Sequence, residues 1–173
     1  MYNFFHEDYD KYIPVSEDDI NRVEKKLGIV FPDVLRKYYL EHNGKYIHTV
    51  YIPNADTDMG DITGIADIIP VITNEIIHGI KSEFSVECIK ENELNEPYDK
   101  WVGHLRIKTN LIPLAINEGG DIYYWDSNDG KVYISFNADE DENGMEIPYY
   151  VCSSVDEMFR LMNEAYEKKI NSK

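Results

Sequence analysis

Residues 111–136 read LIPLAINEGGDIYYWDSNDGKVYISF, and this stretch decides the fold class. Three runs of mainly apolar, β-branched and aromatic residues, a composition typical of strands, are separated by two turns that contain glycine. The second turn, residues 127–130, ends in Asp-Gly, which supplies the positive φ angles of a tight hairpin. An acidic turn at residues 139–144 and a fourth apolar run at 147–151 follow. We therefore predict an antiparallel meander of four strands.

Helices are predicted on both sides of the meander. Ser16 is a helix N-cap, and apolar residues then recur at helical spacing until Gly28. Pro32 fits the first position of a second helix, which ends at Asn43-Gly44. Downstream, the capping box Ser154-x-x-Glu157 opens a third helix with one apolar face.

The stretch between the second helix and the meander is harder to interpret. Residues 45–53 indicate a strand, 53–64 a polar loop, and 65–71 an apolar run. Ile76, Ile77 and Ile80 fit one face of a helix that starts near Asn74. The order of elements predicts one α+β domain over residues 1–173, with a central antiparallel sheet of about four to six strands and flanking helices.

Charge is the most informative feature of the composition. The 173 residues include 33 acidic and 17 basic side chains, which gives a formal net charge of −16. A field of that sign repels nucleic acid and anionic membranes, and it attracts basic protein surfaces. The N-terminus has no basic segment before an apolar run, and no stretch approaches the roughly 18 apolar residues that span a bilayer. We expect a cytoplasmic protein that binds neither nucleic acid directly nor a membrane.

The residue types that carry catalysis show no productive pattern. Cys88 and Cys152 form no Cys-x-x-Cys pair, and none of the five histidines stands at a recognisable spacing from either cysteine. Gly119-Gly120-Asp121 leads into a strand and not into a helix, so it indicates a turn instead of a phosphate loop. The sequence predicts no catalytic residue, no metal ligand and no cofactor.

One acidic segment matches the first half of a calcium-binding loop. Residues 139–144 read DEDENG, with carboxylates at alternate positions before a glycine. The position that should supply a bidentate glutamate is Tyr150, and the flanking runs indicate strands instead of helices. We interpret the segment as a solvated hairpin turn, and weak, opportunistic cation binding stays open.

Three blocks of the sequence, in order and spanning residues 16 to about 166, resemble the SUKH superfamily. The first block consists of Glu24-x-x-Leu27-Gly28-Ile29-x-Phe31-Pro32, Tyr38-Tyr39 and Asn43-Gly44. The second consists of Ile112-Pro113-Leu114-Ala115, Gly119-Gly120-Asp121 and Tyr123-Tyr124-Trp125-Asp126, and the third of Ser153-Ser154-Val155-Asp156-Glu157-Met158-Phe159. That superfamily includes the yeast cell-wall-synthesis regulators and many bacterial immunity proteins.

The resemblance implies an α+β fold with a central antiparallel sheet. For a single-domain bacterial member it also implies an immunity protein (antitoxin) that neutralises a polymorphic toxin, often a nuclease. It supplies no catalytic residues. Residues 55–101 match no motif of the superfamily, so the resemblance does not identify the partner.

We expect the partner-binding face at one edge of the sheet. Acidic side chains would steer a basic toxin domain, and exposed aromatic side chains would supply the buried anchors. The predicted contact residues are Asp121, Tyr124, Trp125, Asp126, Asp139, Glu140, Asp141 and Glu142. A second candidate face consists of Asp56, Asp58 and Asp61. Both a monomer and a homodimer are compatible with the open sheet edges.

Two other functions remain open from the sequence. A general adaptor or regulatory scaffold would bind a cellular protein, and no toxin would be involved. An enzyme or small-ligand binder would gather two or more carboxylates and a metal in a deep pocket. A flat or shallow acidic face would argue against that last function.

Overall fold

A five-stranded antiparallel sheet is the centre of the structure, a computed structural model that describes residues 3–5, 13–53, 62–72, 76–77, 80–81, 85–86 and 110–172. The helices are α1 (Glu17–Leu27), α2 (Asp33–His42) and α3 (Val155–Asn171). The strands are β1 (Val50–Pro53), β2 (Ile62–Ile65), β3 (Asp67–Ile68), β4 (Ile76–Ile77), β5 (Ile80–Lys81), β6 (Leu111–Ile116), β7 (Ile122–Asp126), β8 (Val132–Glu140) and β9 (Glu146–Cys152). The sheet order is β3-β6-β7-β8-β9, and β1–β2 and β4–β5 form two separate hairpins. The predicted α+β fold is confirmed.

Helix α1 begins and ends at the predicted capping residues. Ser16 Oγ accepts a hydrogen bond from Asp19 N at 3.2 Å, and Asp19 Oδ2 accepts one from Ser16 N at 2.9 Å. At the other end, Gly28 adopts a left-handed φ of 69°, which ends the helix. Helix α2 begins one residue later than predicted. Pro32 has a ψ of 145° and is the N-cap, so Asp33 is the first helical residue.

A buried carboxylate fixes the linker between α1 and α2. Glu24 Oε1 accepts a hydrogen bond from Phe31 N at 2.7 Å, and its Oε2 accepts one from Arg36 Nη1 at 2.6 Å. The side chain is 9% exposed, so both bonds lie largely away from water. Glu24 thus accepts a hydrogen bond from a linker amide and also forms an ion pair with an arginine of α2.

Helix α3 also has the predicted N-cap and apolar face. Ser154 Oγ accepts a hydrogen bond from Glu157 N at 3.1 Å. The predicted capping box is incomplete, because Glu157 Oε2 accepts from Ser153 N, one residue before the N-cap. Four residues of the predicted apolar face are buried, and the fifth, Tyr166, is half-buried and stacks on His48. None of the helices among the described residues is long and apolar enough to cross a membrane.

The predicted meander is confirmed as β6 to β9. Gly120 and Gly130 have φ angles of 89° and 79° in the two predicted turns. Strand β7 is central in the sheet order, and side chains on both of its faces are buried, since the successive residues Tyr123 and Tyr124 are both 0% exposed. Register irregularities occur within β6, between Pro113 and Ala115, and within β8, beyond Ser135.

Two predictions for the middle of the chain are wrong. The loop predicted up to Gly64 contains β2, which pairs with β1. Ile76, Ile77 and Ile80 belong to the hairpin β4–β5 and not to a helix. Isoleucine is branched at Cβ, which restricts χ1 and favours strands. In this short stretch, that preference outweighs the helical spacing of the three residues. The strand predicted over residues 45–53 begins only at Val50, although Ile47 forms an isolated bridge with Phe5.

Aromatic side chains join the helices to the sheet and to one another. The rings of Phe31 and Trp125 lie 6.1 Å apart, which places the α1–α2 linker on β7. The rings of Tyr38 and Phe159 lie 5.2 Å apart and join α2 to α3. Val132, Ile134 and Phe136 alternate into the core as predicted.

Candidate functional site

The antiparallel hairpins divide the predicted contact residues between two ends of the sheet. Asp121 precedes β7, and β8 runs back past it to end at Asp139 and Glu140, which extends the strand into the predicted acidic turn; Asp141 and Glu142 follow in the β8–β9 turn. Glu140 pairs across the hairpin with Glu146, and Asp121 and Glu140 both act electrostatically on the Glu146 carboxyl. We define the acidic end by these six residues: Asp121, Asp139, Glu140, Asp141, Glu142 and Glu146.

The β8–β9 turn is fixed by one of its own carboxylates. Asp141 Oδ1 accepts hydrogen bonds from Asn143 N at 2.8 Å and Met145 N at 3.0 Å. Gly144 has a φ of 69°, and its amide donates to Asp141 O at 2.9 Å. The predicted hairpin turn is therefore confirmed. Because Asp141 serves the turn, the exposed Glu140 and Glu142 are better placed to receive a partner.

Asp139 and Asp121 are half-buried and tied to neighbouring side chains. Asp139 Oδ2 accepts a hydrogen bond from the Tyr149 hydroxyl at 3.1 Å, and that contact raises the pKa of Tyr149, next to burial as the main cause. Asp121 Oδ2 accepts from Asn117 Nδ2 at 2.8 Å within the β6–β7 turn. Both carboxylates are therefore held in place before any partner arrives.

Glu146 is a member of the acidic end that sequence reasoning missed. It is 7% exposed, and Ser135 Oγ donates a hydrogen bond to its carboxylate. Burial, with smaller contributions from Glu140 and Asp121, raises the pKa of Glu146 to about 7 against the lowering effect of the Ser135 hydrogen bond. The predicted fourth strand begins only at Ile147, and the burial of the Glu146 carboxyl depends on the neighbouring strand β8, so no local pattern indicated it.

The predicted aromatic anchors Tyr124 and Trp125 are not on the surface. They are 0% and 4% exposed in the central strand, so the prediction that they are exposed contact residues is wrong. Alternate side chains of a strand are exposed only where one face of the sheet meets water. The side chains on both faces of β7 are buried. Tyr133 and Tyr150, half-buried on neighbouring strands with ring centroids 6.2 Å apart, are the more accessible aromatic pair.

Asp126 lies at the opposite end of the sheet from the acidic end. Five residues of extended chain separate it from Asp121, a distance of about 17 Å at the usual rise per residue. Asp126 Oδ1 accepts a hydrogen bond from Asn128 N at 2.8 Å, so the carboxylate stabilises the β7–β8 turn. We therefore remove Asp126 from the predicted contact face.

The other residues considered in the sequence analysis either lie outside the described residues or are buried. Asp56, Asp58, Asp61 and Cys88 lie outside the described residues. Cys152 is buried, and burial raises the pKa of its thiol to about 12, so it is protonated at neutral pH. Within the ranges described above, no group of three or more His, Cys, Asp or Glu side chains is placed to hold a metal ion.

The comparison with protein families gives one match over most of the chain. A model of the SMI1 / KNR4 family (SUKH-1) matches residues 14–161, which include all three blocks of the resemblance. Among curated proteins, none matches the chain.

Proposed function

The chain belongs to the SMI1 / KNR4 family (SUKH-1), which includes immunity proteins, and from that membership we propose that it binds and neutralises a cognate protein toxin. Neutralisation occurs by stoichiometric, non-covalent binding in the cytoplasm, without catalysis. The toxin domain is basic, and the polymorphic toxins in which nuclease activity is common are the class that fits best.

The acidic end is the observation that carries this proposal. Glu140, Asp141 and Glu142 are exposed on one turn, with Asp121 and Asp139 half-buried beside them. Charges within a Debye length of about 8 Å at physiological salt act together on an approaching protein. The net charge of −16 attracts a basic partner over a long range, and the acidic end offers the partner a place to bind.

A rigid acidic end explains how binding would inhibit a nuclease. Carboxylates accept paired hydrogen bonds from arginine in the same geometry as phosphate oxygens do. Glu140 and Glu142 would occupy the cationic groove that a nuclease uses for nucleic acid, and so exclude the substrate. Because Asp141 fixes the turn before binding, little conformational entropy is lost when the partner arrives.

Co-expression with the captured partner tests the proposal. The chain is used as bait in its native organism, and the captured protein is expressed in a heterologous host with and without the chain. We expect the captured protein to stop growth alone and growth to recover on co-expression. Recovery of housekeeping partners only, with no growth defect to rescue, would favour the adaptor function instead.

A charge-reversal pair assigns the rescue to the acidic end. Glu140→Lys with Glu142→Lys changes the net charge by the same amount as Glu41→Lys with Glu167→Lys, two exposed positions on α2 and α3. We expect the first pair to abolish rescue and the second pair to preserve it. Equal rescue by both double variants would place the binding face elsewhere.

A further inference from the structure

A groove between β1 and α3 is not used by the proposed function. It has a volume of about 600 Å³. Val50 and Tyr51 line one wall, Leu161 and Ala165 line the other, and Lys168 and Lys169 lie at the end of α3. Tyr51 is 50% exposed, an unusual fraction for an aromatic residue inside a strand. The groove is therefore open, largely apolar and positively charged at one end.

The outer edge of β1 offers backbone hydrogen-bonding groups to this groove. Residues 49, 51 and 53 direct their backbone groups to the same edge, because direction alternates along a strand. Thr49 O accepts a hydrogen bond from Lys169 Nζ at 3.2 Å, so that edge faces α3 and not β2. Gly64, the cross-strand partner of Tyr51, has its carbonyl turned to the Tyr123 hydroxyl at 3.4 Å.

Pro53 supports the same assignment. Proline has no N–H and cannot take a hydrogen-bonded position in the β1–β2 ladder, so it must direct its backbone outward. Tyr51, two residues earlier, shares that direction. Its N–H and C=O therefore point into the groove, and among the described strands none but β2 pairs with β1.

Two lysines at one end of the groove carry a charge opposite in sign to the net charge of the molecule. Lys168 and Lys169 are exposed, and among the described residues neither forms an ion pair. Three acids lie nearby: Glu164 lines the groove and accepts from Arg160 Nη1 at 2.6 Å, Glu167 Oε1 accepts from Asn3 Nδ2 at 3.3 Å, and Glu118 Oε1 accepts from Thr49 Oγ1 at 3.0 Å. Of these three, only Glu164 forms an ion pair within the part of the chain that the structure describes. A ligand carboxylate would meet Lys168 and the remaining N–H groups of Lys169, which donates one hydrogen bond to Thr49 O, beside an apolar floor.

We propose that this groove binds an extended, acidic segment of a partner protein, which adds as a strand to the outer edge of β1 and places carboxylates on Lys168 and Lys169. The main-chain bonds to Tyr51 give affinity, and the lysines and the apolar floor give specificity, as in other strand-addition complexes. A second copy of this chain is a poorer occupant, because two whole molecules of net charge −16 repel one another, whereas a short acidic segment carries only a few carboxylates and meets the two lysines first. The groove is separate from the acidic end, so this proposal stands independently of the proposed function.

A synthetic peptide provides the probe. We expect a short fluorescent peptide that alternates valine and glutamate to bind in the groove. The matching peptide with lysine in place of glutamate is attracted to the acidic end instead and should leave the groove empty. Lys168→Glu with Lys169→Glu should weaken binding by about tenfold, the loss of two exposed ion pairs. The control Lys25→Glu with Lys37→Glu changes the net charge equally on α1 and α2 and should leave the affinity unchanged.

The amide of Tyr51 gives the second readout. On binding of the valine–glutamate peptide to the full chain, we expect the Tyr51 N–H signal to shift and its hydrogen exchange to slow, while Ile52 changes little. The proposal is overturned if both peptides change the Tyr51 N–H alike, if the two double variants bind the valine–glutamate peptide alike, or if Tyr51 is unaffected. Protection of Tyr51 without peptide, together with a concentration-dependent dimer mass, would identify a second copy as the occupant and also overturn it.

Discussion

Asn43 joins three separate stretches of the chain through one buried side chain. Its amide nitrogen donates to Ile13 O at 3.1 Å and Ile72 O at 3.2 Å, and its Oδ1 accepts from Val71 N at 2.8 Å. The residue is 0% exposed, so water cannot replace these partners. The resemblance marked Asn43 as a motif position, and the structure gives the physical reason.

We expect Asn43→Ala to lower the free energy of unfolding by about 2 to 4 kcal/mol, because it leaves three buried backbone groups without a partner. Urea unfolding measures this. Asn128→Ala, at an exposed position of the β7–β8 turn, is the matched control and should stay within about 0.5 kcal/mol of the parent. A small effect at Asn43 would mean that the surrounding groups find other partners.

Glu146 makes stability depend on pH. In the unfolded chain its pKa is near 4.5, and in the folded protein it is about 7. Between these values the folded protein holds a proton that the unfolded chain has released, so stability falls as the pH rises through this window. Asp67 lowers stability with rising pH in the same way, since burial raises its pKa from 3.8 to about 6.

We expect Glu146→Gln to flatten the fall in stability between about pH 5 and about pH 8, and to stabilise the protein at the higher pH by roughly 1 to 3 kcal/mol. Urea unfolding at both pH values checks this. Asp67→Asn should remove a smaller part of the slope, at lower pH. An unchanged pH profile in the Glu146 variant would show that its carboxyl is solvated in the folded protein.

At the scale of elements, the β8–β9 hairpin combines a structural carboxylate with exposed ones. Asp141 accepts two backbone hydrogen bonds, whereas its neighbour Glu142 is exposed and has no described hydrogen bond. We infer that Asp141 stabilises the turn and that Glu142 is available to a partner. Alanine substitutions at the two positions separate those tasks.

We expect Asp141→Ala to cost about 1 kcal/mol of stability, because the turn loses its side-chain hydrogen bonds. Glu142→Ala should leave stability within about 0.5 kcal/mol and slow association with the toxin instead. Thermal unfolding and stopped-flow association measure the two effects. If Glu142→Ala destabilised the fold as much as Asp141→Ala, the division of tasks would be wrong.

The elements that could be predicted are those whose signals lie within a few residues. Helix α1 has its cap at Ser16 and its end at Gly28, and the β7–β8 hairpin has Asp-Gly in its turn. The hairpin β4–β5 was predicted as a helix. In so short a stretch, the spacing of three isoleucines does not distinguish a helix from two short strands. Burial of Tyr124 and Trp125 depends on the position of β7 at the centre of the sheet, which no local pattern encodes.

The same contrast holds for the candidate site. Asp121, Asp139, Glu140, Asp141 and Glu142 could be predicted as turn residues, because acidic side chains and glycine concentrate in exposed turns. That Asp126 lies at the other end follows from the antiparallel direction of β7. Glu146 required knowledge of Ser135 across the hairpin, since only that neighbour and burial distinguish it from other strand residues.

At the scale of the whole molecule, a net charge of −16 sets how a partner is found. The field of the protein extends over a distance that salt controls, whereas the contacts in the final complex are short and less screened. Electrostatic steering therefore affects association more than dissociation. The acidic end and the lysine-rimmed groove also predict two classes of partner with opposite charge.

We expect the association rate constant with the toxin to fall at least tenfold when the salt concentration rises from about 50 mM to about 500 mM, with a smaller change in the dissociation rate constant. Stopped-flow mixing over a salt series measures both. The peptide that binds the groove should show a weaker salt dependence, since only two lysines take part. A toxin association rate independent of salt would exclude steering by the acidic surface.

The most direct test of the central claim is growth of a host that expresses the captured toxin together with variants of this chain. We expect the unaltered chain and the Glu41→Lys/Glu167→Lys control to restore growth, and Glu140→Lys/Glu142→Lys, with the same melting temperature, not to restore it. Full rescue by the acidic-end variant would contradict the assignment of the binding face. Failure of the unaltered chain to rescue growth against any captured partner would contradict neutralisation itself.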